Sequence, residues 1–425
     1  MRIRISLVAL AFSALACSGA TCAETAPAEE SAPAPAPRAG TPRVDTIGAD
    51  PLASEGAFAP SPTVLSGQVA MTWVEPASRG HRVRFARLAD GGWEPPVTIV
   101  TSERMFANWA DFPGVARSED GSLVSHWLRR SGDDSPYAYD VVLVRSTDDG
   151  ASWAELGKAH DDDTRSEHGF VSYVPVTGAL RLFWLDGRAT SGTAHDAPES
   201  ERGAMALRTA TVTGETIGPS ELVDDRVCDC CQTAAVKTGD GALVAYRDRS
   251  EQEVRDIARA RVTTGAPGTP GAVHEDGWEI RGCPVNGPAL DADGRRVVAA
   301  WFTGSEPASV KVALSEDRGE RFGTPAIVDA ESPHGRVDVV IVDGGAVVSW
   351  LAAADAETAE IRLRAVDWRG RLGRPVSVAT TSSERASGFP RIARVDDRLF
   401  VAWTDPSGLG RLRSSWVRVD DLPRP

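Results

Sequence analysis

The chain has 425 residues, with 46 Lys and Arg against 60 Asp and Glu and a net charge of −14. That balance argues against a nucleic-acid partner, which would need a basic surface. The length exceeds what one hydrophobic core usually serves, so internal repetition is the first expectation.

The N-terminus, MRIRISLVALAFSALACSGATC, places two arginines before an apolar run from Leu7 to Ala16. The run is too short for a mature membrane span and has the length of a signal-peptide core, which assigns residues 1–16 to a signal peptide. The stretch SALAC resembles a bacterial lipobox, which implies lipid modification at Cys17. Ser18, where an Asp would mark inner-membrane retention, implies an outer-membrane lipoprotein facing the periplasm or the cell surface. Residues 17–42 are rich in Ala, Pro and Glu without an apolar period, so they read as an extended tether. No later apolar run approaches membrane-spanning length.

From residue 43 to 425 a short motif recurs: a tight turn, an apolar run, an aromatic residue, then polar residues. Its instances include GQVAMTWVEP, DGSLVSHWLRR, GALRLFWLDGR and DGALVAYRDRS. The aromatic positions are Trp73, Trp127, Trp184, Tyr246, Trp301, Trp350 and Trp403, spaced by 49 to 62 residues. Each unit holds four short Val-rich candidate strands joined by Gly/Asp turns. A period near 50 with four strands describes a β-propeller blade. The expected fold is therefore all-β, a propeller of four-stranded blades, seven by the aromatic count with six as the alternative. The last unit lacks an outer strand, and RVDTIG at 43–48 is expected to close the ring.

Two turns, STDDGASW (146–153) and SEDRGERF (315–322), resemble the Asp-box of the sialidase-like BNR propellers. The matching residues are Ser146, Asp148, Gly150 and Trp153, then Ser315, Asp317, Gly319 and Phe322. Their role is local: Ser and Asp side chains bond turn amides, Gly takes a positive φ, and the aromatic packs into the blade.

Propeller topology sorts the loops. The Asp-Gly hairpins and the two turns above fall on one face; the blade entries and the second–third loops fall on the other. That second face collects the unusual residues. Among them are Asp111, VCDCC (227–231), RGCPVNGP (281–288), Arg336 and Arg391, with WLDGR and YRDRSEQEVRD from the loops.

Cys228 precedes Tyr246, and Cys283 precedes Trp301, by 18 residues each, so both stand at equivalent entries of blades four and five. Cys228, Cys230, Cys231 and Cys283 read in three ways. They form a disulfide staple between the two blades, a thiolate site for Zn or Cu, or a redox or catalytic thiol. His168 and His334 lie on the same face as further metal-ligand candidates.

The sialidase resemblance implies three arginines gripping a carboxylate, an Asp acid/base, and a Tyr nucleophile helped by a Glu. Candidate ligand-binding residues are Arg130, Asp186, Arg188, Arg247, Asp248, Arg249, Arg255 and Asp256; Asp186, Asp248, Tyr246 and Tyr139 are the catalytic candidates. The early Arg motif of that family has no counterpart in FAPSPTVLS, so its arginine set is not carried over. Arg–Asp pairs at strand ends also read as mutual partners within the scaffold.

The expectation is an exported, lipid-anchored, monomeric propeller that binds a carbohydrate or glycoprotein at the polar mouth of its channel. The alternatives are an exo-acting glycoside hydrolase of sialidase type and a thiolate metal-binding propeller.

Overall fold

The computed structural model describes residues 41–425 except 133–135, 192–202, 240 and 264–265. The signal peptide, Cys17 and all but the last two residues of the tether lie outside the described residues. No helix among the described residues is long and apolar enough to cross a membrane.

The second strand of each unit carries the repeated motif and is buried along nearly its whole length. In Ala179–Asp186, ALRLFWLD, every residue is buried. Gln68–Pro76 exposes only its two ends, and Gly345–Ala353 is buried up to a half-buried Ala353. Such runs read as continuously apolar because both of their faces are covered by neighbouring sheets.

Seven antiparallel sheets result, five with four strands and two with five. Blade one runs through Phe58–Leu65, Gln68–Pro76, His81–Ala89 and Val97–Ser102. Blade three runs through His168–Val176, Ala179–Asp186, Ala206–Thr213 and Glu221–Asp224. The fifth strands are the short hairpins Gly92–Trp93 and Thr216–Ile217, each paired to its blade's third strand. The inner strands touch in sequence order around the ring, and that of blade seven, Arg391–Val395, returns to that of blade one. They enclose a channel cavity of about 350 Å³, bordered by Ser61, Ala116, Tyr173, Thr233, Leu290 and Asp338.

Ring closure falls to the N-terminal strand. Ile47 and Gly48 pair antiparallel with Trp416 and Ser415 of blade seven. The seam is reinforced by Ala49 N to Ser414 O at 3.0 Å and by Arg413 on Asp50 at 2.6 Å.

The two Ser-x-Asp turns make the expected local bonds. Gly150 N donates to Ser146 Oγ at 2.8 Å, and Ser152 N donates to Asp148 Oδ1 at 2.9 Å. Gly319 N and Arg321 N do the same with Ser315 and Asp317, each at 2.9 Å. The glycines sit at φ +96° and +80°. A Cβ on either would lie 2.3 Å from a side chain of the preceding blade, Phe85 or Leu243.

Each fully buried repeat aromatic also has a carboxylate for its polar atom. Trp73 Nε1 donates to Glu75 at 2.8 Å and Trp184 Nε1 to Asp186 at 2.9 Å, both within one strand. In blades four to six the acceptor comes from the outer edge of the preceding blade. Tyr246 Oη reaches Asp224 at 2.6 Å, and Trp301 and Trp350 reach Asp276 and Asp329 at 2.7 Å each. These bonds join blades to one another.

Replacing Trp350 by Phe keeps an aromatic six-membered ring but removes the indole N–H and some packed volume, leaving Asp329, 8% exposed, short of a partner. We expect a loss of about 1–3 kcal/mol in urea denaturation; a loss below about 0.5 kcal/mol would show that the bond contributes little.

Candidate thiol and carboxyl site at the channel mouth

Backbone bonds bring the blade entries and second–third loops together on one face. Gly187 N bonds Glu167 O at 2.8 Å, Cys228 N bonds Arg247 O at 2.9 Å, and Arg255 N bonds Trp278 O at 2.8 Å. The entries are tight. Ala59, Phe170 and Arg336 take positive φ, between 54° and 57°, each 14 residues before the aromatic of blades one, three and six, and Val285, at 46°, stands 16 residues before that of blade five. Left-handed backbone at a β-branched residue such as Val285 is rare and strained. At the channel's end Trp109 stacks on Phe389 at 5.8 Å, with Arg336 lying 5.0 Å over the Trp109 ring.

The entry to blade four turns sharply through Cys228–Cys231. The sulfurs of Cys228, Cys230 and Cys231 all lie within 4.8 Å of one another. Cys283, from the entry to blade five, lies close enough to Cys230 to influence its ionisation. Cys228 and Cys231 are buried, Cys230 is half-buried and Cys283 is exposed. The expected disulfide staple is not shown: no disulfide joins the described cysteines, and Cys228 Sγ stands 2.7 Å from Cys231 Sγ, longer than the bonded distance of about 2.05 Å and shorter than the contact of two unbonded sulfurs.

A charged clasp surrounds the thiols. Arg255, 3% exposed, donates to Cys228 Sγ at 3.4 Å and to Glu253 at 2.7 Å. Arg249 joins Glu253 at 2.8 Å and Asp229 at 3.2 Å. Burial pushes the Cys228 thiol up, but hydrogen bonding with Cys230 and Cys231 and the charge of Arg255 outweigh it. The result holds Cys228 well below the ordinary thiol range. Burial pushes Cys231 well above it.

Beside the thiols stands a phenol–carboxyl pair. Tyr139 Oη donates to Glu167 Oε1 at 2.6 Å. The Tyr139 ring is fully buried and stacked on Phe106 at 4.1 Å, while Glu167 is only half-buried. Burial raises Glu167 to about 8, with the negative charges of Asp229, Asp111 and Cys283 adding to it and the Tyr139 bond opposing. Burial also raises Asp111 to about 7, against a 2.8 Å bond from Phe170 N. Two carboxyls on this face thus carry protons near neutrality.

The residues singled out from the sequence are gathered on this face, mostly engaged with one another. Arg188 grips Asp186 at 2.8 Å and Asp161 at 3.0 Å, and Asp186 is fully buried. Arg247, 1% exposed, donates to the carbonyls of Asn286, Arg255 and Phe302 and stacks on Trp278 at 4.8 Å. Asp256 accepts from Gly277 N and Trp278 N. Burial lifts Asp248 to about 6. Tyr246 is buried on Asp224, and Arg391 pairs with Asp338 at 2.8 Å. Arg130 reaches Pro136 O at 3.2 Å and covers the Phe106 ring at 5.1 Å. It borders a basic cleft of about 310 Å³ with Arg104, Arg129, Lys158 and Arg165. His334 is half-buried beside Arg336 and does not join the cysteine triplet.

One cluster escaped the sequence reading. His160 and His168 stack at 3.7 Å with both side chains sealed from solvent. Asp162 sits 2.8 Å from His160 Nδ1 and 3.3 Å from His168 Nε2, with Asp140 and Asp186 completing the shell. His168 was visible as a candidate; His160 sits in KAHDDD, which reads as a solvated turn. The pairing of Tyr139 with Glu167, 28 residues apart, likewise left no local signal.

No protein-family model matches the chain, and no curated protein matches it in sequence. Among solved structures it is similar to a polysaccharide lyase of family PL25, an ulvan lyase bound to a GlcA–Rha3S unit. That match has 13% identity and a TM-score of 0.57, covering 88% of this chain and 96% of that one. It is also similar to an α-L-arabinanase of Penicillium chrysogenum complexed with arabinobiose, at 13% identity and a TM-score of 0.50, covering 90% and 100%. At these identities the likeness is one of fold.

Proposed function

We propose that this protein is an exported, lipid-anchored propeller that binds an acidic glycan on the rim of its channel mouth, between the basic cleft at Arg130 and the carboxyl of Glu167. The observation that carries this reading is the Tyr139–Glu167 pair. A half-buried carboxyl whose burial raises it to about 8 can both donate to and accept from sugar hydroxyls. Arg130, Phe106, Tyr139 and Glu167 form a continuous row of contacts, which links the cleft to the carboxyl. Support from outside the chain comes from fold: two of the solved structures similar to it are named a polysaccharide lyase and an arabinanase, and both carry sugars. The placement at the outer membrane rests on the N-terminal motif and Cys17. Replacing Cys17 by Ala should move the protein from the membrane to the soluble fraction, and unchanged fractionation would remove the anchor from the reading.

Cleavage is the second reading. The Tyr139–Glu167 pair has the residue types that the sialidase resemblance implies for nucleophile and helper, and a protonated Glu167 suits a general acid. Binding is preferred because the Tyr139 ring is fully buried.

The full chain in detergent should bind uronic-acid or sialic-acid oligosaccharides on a glycan panel, and Glu167→Gln should weaken binding at least tenfold without lowering the melting temperature. Failure of the wild type to bind any member of the panel would end the glycan reading. Turnover of a bound oligosaccharide, abolished in Tyr139→Phe, would decide for cleavage.

Glu167 also makes a prediction about stability. Its folded-state value of about 8 stands above its ordinary 4.5, so between those values the folded chain holds a proton that the unfolded chain has lost. Stability therefore falls as pH rises through that window. Glu167→Gln should flatten the dependence of melting temperature on pH between 5 and 8; an unchanged slope would mean that Glu167 is ionised in the folded protein.

A further inference from the structure

The thiols take no part in the glycan reading, and they make a path of sulfur from solvent into the blade. Cys283 is exposed at the entry to blade five, Cys230 beside it is half-buried, and Cys228 and Cys231 are buried. The sulfurs of the last three lie within 4.8 Å of one another, which puts Cys230 within reach of both buried thiols.

The buried pair is placed to bond. Its sulfurs stand 2.7 Å apart, too close for two thiolates on one zinc ion, which at about 2.3 Å from the metal are separated by about 3.7 Å. A bridge between them would close a loop of only four residues, CDCC, and so short a loop removes little entropy from the unfolded chain. The pair is therefore a weak staple and a suitable place to hold two electrons. Both ends of the path also favour the thiolate, which is the nucleophile in disulfide exchange. Against its burial, Cys228 is held well below the ordinary thiol range by Cys230, Cys231 and Arg255. Arg255 gives it Nη1, the nitrogen that Glu253 does not use, at 3.4 Å. The neighbouring Cys230 thiol draws Cys283 below that range as well.

We propose that these four cysteines form a thiol–disulfide exchange centre, in which Cys283 meets a disulfide presented at the channel mouth and Cys228 with Cys231 supply the electron pair that reduces it. Cys283 attacks the substrate disulfide, forming a mixed disulfide and releasing one substrate thiolate. Cys230 then attacks Cys283, which forms the Cys230–Cys283 bond and releases the second. Cys228 attacks Cys230 and frees Cys283; Cys231 attacks Cys228 and frees Cys230. The net change is one substrate disulfide reduced to two thiols and one Cys228–Cys231 disulfide formed, the two protons passing from the buried thiols through solvent to the substrate. An external dithiol entering through Cys283 reverses the relay and restores the pair. The centre is independent of the glycan rim in its substrate and in its test.

The experiment uses the full chain in detergent, reduced and then freed of reductant under argon. It is mixed with oxidised glutathione or with scrambled ribonuclease, quenched by alkylation, and read by intact mass and peptide mapping. The expected result is loss of two of the four thiols, with the bridge between Cys228 and Cys231. Cys283→Ser should slow the reaction at least tenfold, and Cys231→Ser should accumulate the Cys230–Cys283 bridge. The wild-type result stands without any variant, and the melting temperatures of the variants separate lost exchange from lost fold. Faster reaction with ribonuclease would assign the substrate to protein disulfides, and faster reaction with glutathione to small ones. Three results would overturn the proposal: reaction with neither disulfide, a Cys230–Cys283 bridge that resists reduction by glutathione and so acts as a staple, or Cys283→Ser reacting as fast as the wild type.

Discussion

Three successive blade junctions, from blade three to blade six, are tied by hydrogen bonds between an aromatic residue deep in one blade and a carboxylate at the edge of the preceding one. A propeller blade is a small sheet that cannot bury both of its faces alone, so its second strand is sealed only when two neighbours press on it. Bulky aromatics fill that space efficiently, but indole and phenol bring a polar atom that must find a partner when buried. Asp224, Asp276 and Asp329 supply it from the outer edge of the preceding blade. The packing and the polar pairing therefore favour the same seating of one blade against the next.

With the scaffold fixed, the mouth becomes a place where strained and ionisable groups can be held. The left-handed residues at the blade entries turn the chain abruptly into the inner strands. At blade four the turn through Cys228–Cys231 gathers three sulfurs, and at blade three the entry sets Glu167 against Tyr139. The two centres share charges: Cys283 and Asp229 help keep the proton on Glu167, and Arg255 lowers Cys228. A change of charge at one should therefore be felt electrostatically by the other, because groups this close in a poorly solvated rim are weakly screened.

Much of this was legible in the sequence, for a physical reason. Trp73, Trp184, Trp301 and Trp350 recur because each blade must solve the same packing problem, so spacing alone gives strand identity, blade number and face. The closing strand could be read from what the last unit lacked. Contacts between distant residues were not legible. The spacing of Cys228 and Cys283 placed them at equivalent entries, but could not say that Cys283 meets Cys230 and not Cys228. Arg188 and Arg247 looked available for a ligand because sequence does not reveal that Asp186, or three backbone carbonyls, already hold them. His160 and Asp162 looked like a solvated turn because nothing local reports the stacking of His168 upon them.

The seam between Ile47–Gly48 and Trp416–Ser415 has a kinetic consequence. Blade seven draws one strand from the beginning of the domain and three from its end, so its last hydrogen-bonded ladder joins residues more than 360 positions apart. Six blades can assemble from neighbours in the chain, but the circle is completed only by this one long-range pairing, which carries the largest loop-closure cost in the fold. Until then the circle is an open arc with an unpaired edge at each end. That arc, rather than any single blade, is the species most exposed to wrong partners during folding.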